Sequence, residues 1–160
     1  MKLTICGHDE AAKILAKKPN KLDIIFISSP ENKYAIDGSE KIAELARESC
    51  EILFNDITFP IGHSKTVPEE HHVQKALDFA KGKKELIVSC QMGISRSSAI
   101  AYLIEASIVG YEKAFDILNM KVHSPNLLVI KHGAKLLGEQ EILTAMLDWK
   151  NKSNALDYEW

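Results

Sequence analysis

Two kinds of hydrophobic pattern alternate through the first half of the chain, and only one of them continues afterwards. Short apolar, β-rich runs over residues 3–6, 22–27, 51–54 and 85–89 read as strands. Amphipathic stretches lie between them. One covers 9–17 and ends at Pro19, a second runs from a capping Ser39 to about residue 49, and a third ends at Lys81 before Gly82. Thr66-Val67-Pro68-Glu69 has the form of a capping box with proline in the first turn, which predicts that the third helix opens there. Residues 55–65 read as a loop carrying Asp56, Pro60 and Gly62.

Beyond residue 95 the pattern is helical throughout. An apolar helix over 96–109 is closed by Gly110. Further helices are predicted over 111–121, over 125–137 with Ser124 as cap, and over 139–150. Strands that alternate with helices, followed by helices alone, predict an α/β fold: a mainly parallel central sheet flanked by helices, with a helix-rich C-terminal half. Ligands of such sheets sit beyond the carboxyl ends of the strands. The pattern holds no repeat and no linker, so residues 1–150 are expected to form a single domain and 151–160 a loosely held tail.

Composition narrows the function classes. The 160 residues are 46% hydrophobic and 26% charged, ordinary for a globular protein with a core of its own. A net charge of −2 with lysines spread along the chain argues against nucleic acid as the main partner. Three cysteines without a CxxC pair argue against a disulfide framework and for a reducing compartment. The start is too short for a signal peptide and no stretch reaches membrane-spanning length, so a cytoplasmic protein without a membrane partner is expected. Among six histidines no metal-ligand spacing stands out, and no cofactor or metal is called for. His63 and His123 read as surface loop residues, Cys6 and Cys50 as core residues, with a disulfide from one of them to Cys90 as a minor alternative.

The chemistry concentrates in Ser89-Cys90-Gln91-Met92-Gly93-Ile94-Ser95-Arg96-Ser97. A strand enters this stretch and a helix leaves it. Backbone N–H groups of such a loop can converge on a dianion, and the helix dipole favours negative charge there. A cysteine at that point is placed to act as a nucleophilic thiolate. Only two arginines exist in the chain, and a cysteine six positions ahead of one arises by accident in roughly one such chain in twenty-five. The glycine, the flanking serines and the strand–loop–helix setting make accident rarer still.

Cys-x5-Arg-Ser, written here as Cys-x-x-Gly-Ile-Ser-Arg-Ser, resembles the phosphate-binding loop of cysteine-dependent protein tyrosine phosphatases, in particular their compact dual-specificity branch. Ser124-Pro125-Asn126 is similar to the segment that opens a later helix in that branch. Phe54-Asn55-Asp56-Ile57 followed by Pro60 is similar to the acid loop of small bacterial members. The likeness spans about residues 50–138. It implies hydrolysis of a phosphomonoester, with phosphotyrosine protein as the default substrate and a small phosphomonoester as the other option.

In that chemistry Cys90 is the nucleophile and Arg96 the clamp, whose planar guanidinium can hold two phosphate oxygens. The N–H groups of Gln91, Met92, Gly93, Ile94, Ser95 and Arg96 are the cradle, and Ser97 can donate to the sulfur. Asp56, 34 positions before Cys90 at the end of a strand, is the candidate general acid. Asp37, Glu69 and Glu70 are weaker candidates, and Asp78 reads as a solvated helix residue. Two positions depart from the family: Ser89 stands where a histidine usually precedes the cysteine, and Met92 where alanine is common. They leave room for a phosphate-binding module with little turnover. A sulfur-transfer domain also uses a loop cysteine, but the Arg-Ser ending and the loop acid suit phosphate better.

Overall fold

The computed structural model describes residues 1–32, 39–58 and 65–156. Four strands, β1 (Lys2–Gly7), β2 (Asp23–Ser28), β3 (Ser49–Leu53) and β4 (Glu85–Cys90), make one sheet in the order β1-β4-β2-β3. Every pairing is parallel, with Gly7 and Ile27 flanking Cys90 in register. The two inner strands are buried along nearly their whole length, as expected where helices cover both faces of a parallel sheet.

One face carries α1 (His8–Lys17) and α2 (Ser39–Leu45), packed through Ala11, Leu15 and Ile42 onto Ile24, Phe26 and Ile87. The other carries α3 (Glu70–Ala80), α4 (Arg96–Val109), α5 (Tyr111–Ala114), α6 (Leu127–Leu137) and α7 (Glu141–Leu156) over Ile25, Ile27 and Val88. The middle of α4 is buried all round, because the sheet lies on one side and α3, α5 and α6 surround the rest. Trp149 of α7 is buried, its ring stacked 6.1 Å from Phe115. Among the described residues no helix is long and apolar enough to cross a membrane.

Several boundaries differ from the sequence reading. Thr66 is not the cap of α3: its N–H and C=O are both committed to Asn55, and Glu69 with His72 forms the capping box instead. The helix predicted over 111–121 stops at Ala114, continues as a 3-10 turn over Phe115–Ile117, and ends where Leu118 turns extended. Asn126, not Ser124, caps α6, its Oδ1 accepting from the N–H groups of Leu128 and Val129. The second helix ends at Leu45, and Ser49 already belongs to β3. The last helix runs on to Leu156, into the predicted tail, where Ser153 donates to the Met120 carbonyl. Asp37, Pro60, Gly62 and His63 lie outside the described residues.

Candidate active site

The turn from β4 into α4 is shaped by what its carbonyl oxygens do. The Ile94 carbonyl accepts from Ser124 N at 3.0 Å, and the Ser95 carbonyl accepts from Asn126 N at 3.2 Å and Ala99 N at 3.1 Å. Ser98 Oγ donates to both of these carbonyls from inside α4. No hydrogen bond among the described residues draws on the N–H groups of residues 91–95. Carbonyls held on one side and free N–H groups on the other are the arrangement that receives an anion at a helix N-terminus.

Cys90, the last residue of β4, is 2% exposed, and its Sγ lies 3.2 Å from Ser97 Oγ. Arg96, the first residue of α4, is 4% exposed. Its Nη1 donates to the Phe54 carbonyl at 3.0 Å and to Ser29 Oγ at 3.1 Å, which ties the guanidinium to the carboxyl ends of β3 and β2. One corner of the planar group is thereby anchored. The edge made by Nε and Nη2 is left over, and Nε is buried without a hydrogen-bond partner. A buried orphan donor is costly, and an oxyanion in the loop would satisfy it. Arg47, the only other arginine, is spent on the buried Asp23.

Asp56 reaches the same loop from the segment after β3. Its Oδ1 accepts from Ser95 Oγ and from Asn126 Nδ2, each at 2.8 Å. Asn55 pins the base of that segment: its N–H donates to the Thr66 carbonyl at 2.8 Å, its Oδ1 accepts from Thr66 N, and its Nδ2 donates to Glu31. The candidate nucleophile, clamp, hydroxyl and acid are thus brought to one corner. Glu69, Glu70 and Asp78 are committed elsewhere, to the α3 cap and His71, to Lys135 and to Lys81.

The two departures from the family pattern have clear surroundings. Met92 is 70% exposed and stands in solvent at the rim. Ser89 is fully buried, and its Oγ lies 3.0 Å from Nδ1 of His8, a residue that the sequence reading passed over. The overlooked signal was a histidine placed directly after the first strand, at the ligand-binding end of the sheet. Neither of the other cysteines is placed to bridge Cys90. Cys6 packs against the α1 face of the sheet while Cys90 belongs to the opposite face, and burial, with Glu10 and Cys90 nearby, pushes its thiol up to about 12. Cys50 is on the same face but two strands away, about 10 Å sideways, beyond the roughly 7 Å a disulfide spans. Among the described residues no group of three His, Cys, Asp or Glu could hold a metal ion.

The architecture matches solved phosphatase-type structures. The human tyrosine phosphatase-like serine/threonine/tyrosine-interacting protein is 17% identical at a TM-score of 0.63, over 85% of this chain and 91% of its own. PTPMT1, solved in complex with PI(5)P, is 15% identical at a TM-score of 0.60, over 90% of this chain and 94% of its own. DUSP15 is 16% identical at a TM-score of 0.51, over 91% and 90%. No family model and no curated protein sequence matches the chain. The fold is therefore that of the dual-specificity and protein tyrosine phosphatases.

Proposed function

We propose that the protein hydrolyses phosphomonoesters through a cysteinyl-phosphate intermediate. The observation that carries this reading is the guanidinium of Arg96, anchored through Nη1 with a buried orphan Nε, at the loop that holds Cys90 Sγ. In the first step the Cys90 thiolate forms a bond to phosphorus as the ester P–O bond breaks, and Asp56 gives its proton to the departing oxygen. In the second, water attacks phosphorus, the S–P bond breaks, Asp56 takes up the proton, and the Ser97 hydroxyl stabilises the returning thiolate. Arg96 and the loop N–H groups hold the equatorial oxygens through both steps. Phosphotyrosine protein is the leading substrate class, as the resemblance of the Cys-x5-Arg-Ser loop implies.

Wild type is expected to turn over p-nitrophenyl phosphate between about pH 5 and 8 and Cys90→Ser to be inactive; a Cys90→Ser protein that keeps the activity would sink the reading. Asp56→Asn should hurt phenyl phosphate far more than p-nitrophenyl phosphate, whose leaving group scarcely needs a proton.

Asn126 offers a finer check, because one amide serves two ends: Oδ1 caps α6 and Nδ2 holds Asp56. Asn126→Ser keeps a capping oxygen and loses the amide donor, without setting a second carboxylate against Asp56. Its melting temperature should stay close to wild type while kcat on phenyl phosphate falls roughly tenfold, a part of the ~10²–10⁴ that a positioned acid contributes. Equal losses on both esters would show that Asn126 does not act through Asp56.

A second reading, a phosphate-binding module with little turnover, draws support from the two hydrogen bonds already on Asp56 Oδ1. A folded wild type that binds vanadate but hydrolyses no ester would establish it.

A further inference from the structure

We propose that His8 is the positioning residue of the Cys90 loop, its buried imidazole joining Ser89, which precedes the nucleophile, to Ser28, which precedes the Arg96 partner Ser29. The proposal rests on the phosphatase reading above and names the side chain that sets its loop.

The first support is location. Gly7 pairs with Cys90, so His8 stands one residue beyond the end of β1, where β4 gives way to the loop. The corner it occupies is the floor of that loop. A Cβ on Gly93 would lie 2.5 Å from the Cys6 carbonyl carbon and the Gly7 nitrogen, and one on Gly7 would lie 3.1 Å from the Gln91 carbonyl oxygen. Loop and corner are packed backbone to backbone, and a shift in one is felt by the other.

The second support is the network itself. His8 is 2% exposed, Ser28 3% and Ser89 0%. Nδ1 of the ring lies 3.0 Å from Ser89 Oγ, and Nε2 lies 3.4 Å from Ser28 Oγ. β4 lies between β1 and β2, so the side chain with its two hydrogen bonds reaches from the end of β1 over β4 to β2, roughly two strand spacings or about 10 Å. Three polar side chains in a core are expensive unless they satisfy one another, and here they do. The result is a tie between the strand that delivers the nucleophile and the strand end that holds the clamp.

The third support is charge. Burial and the guanidinium of Arg96 from α4 push the ring down to about 4, against a backbone hydrogen bond to Ile27 and the carboxylate of Asp9 on α1, which raise it. At neutral pH the ring therefore carries one donor and one acceptor nitrogen, and a serine hydroxyl can match either. It also adds no second cation beside Arg96. An unfolded histidine takes its proton near 6.5 and this one only near 4, so the unfolded state binds more protons in that window. Stability should fall as pH drops from 6.5 towards 4, and removing His8 should flatten that part of the profile.

The experiment compares wild type with His8→Asn, Ser89→Ala and the double variant. Two readouts are followed across about pH 5 to 8: kcat/KM on p-nitrophenyl phosphate, and alkylation of Cys90 by iodoacetamide scored by mass spectrometry on its peptide. Each single variant is expected to lose about tenfold in kcat/KM and to displace the alkylation profile along the pH axis, and the double variant to lose no more than the worse single, as members of one network do. Rates and alkylation profiles that superimpose on wild type, with only the melting temperature lowered, would overturn the proposal. So would fully additive losses. Ser89→Ala, a small change within a strand, carries the test if His8→Asn does not fold. A wild type silent on every ester would end the phosphatase reading alone, because the alkylation profiles still decide whether His8 sets the loop.

Discussion

Replacing Arg96 with lysine is expected to lower kcat on p-nitrophenyl phosphate by roughly a thousandfold while the protein stays folded. The size follows from what the guanidinium is asked to do at once. Nη1 is occupied by the Phe54 carbonyl and Ser29 Oγ, and Nε is buried without a partner. A lysine ammonium is a single point with three donors. It can bind the Phe54 carbonyl and Ser29, or it can reach the phosphate, but it cannot present a fixed fork while doing the first. The side chain is buried, so water cannot take over the lost contacts. Because the charge on the transferring group spreads over its equatorial oxygens in the transition state, the loss should fall on kcat more than on KM. Steady-state kinetics with a melting curve for each protein will show this. A variant within tenfold of wild type would mean that the loop amides carry the stabilisation and that Arg96 only braces β2 and β3.

The second large effect is expected at Gly93→Ala, with a loss of at least about a hundredfold, the cost of misplacing a reacting group by about 1 Å. Two independent facts converge there. The residue has φ +75°, a region that side chains rarely adopt, and an added Cβ would lie 2.5 Å from backbone atoms of Cys6 and Gly7. No rotamer change relieves a clash with main chain, so the loop must lift from its floor. Gly82 is the control: its φ is +74°, but nothing lies within 4 Å of its missing Cβ. Gly82→Ala should cost about 1 kcal/mol of stability and leave kcat untouched. If both variants behave alike, the cost at Gly93 is backbone strain alone and the packed floor has no role.

Much of this fold could be read from the chain because β4, the loop and α4 carry dense local signals. The run into Cys90, the left-handed Gly93 and the apolar stretch closed by Gly110 all agree with one another, and α4 has the predicted bounds. The misreadings share a cause. Thr66-x-x-Glu69 has the right letters for a capping box, yet the Thr66 backbone is already engaged by Asn55, eleven positions earlier. The sequence points to Ser124 as the cap of α6, but the Ile94 and Ser95 carbonyls hold 124 and 126 through their N–H groups and the cap falls to Asn126. At the site, Cys90 and Arg96 were legible as types at a spacing. The anchor of Arg96 was not, since a Phe54 carbonyl has no sequence signature. His8 was missed for a related reason: its partner Ser89 is 81 positions away, and His8 itself belongs to no motif.

The strand order has a consequence for how the protein comes into being. Among the described residues β1 has β4 as its only neighbour in the sheet, and β2, β3 and three helices lie between the two along the chain. Closing that pair is among the most distant contacts in the fold and among the slowest to be rewarded. Until it closes, the Cys90 loop has neither its floor at residues 6–7 nor its tie at His8. A chain in which β1 and β4 have not yet paired thus carries Cys90 in a loop without its native shape. Under the proposed function, phosphate binding would report that the sheet is complete, and a half-folded copy would be silent rather than promiscuous.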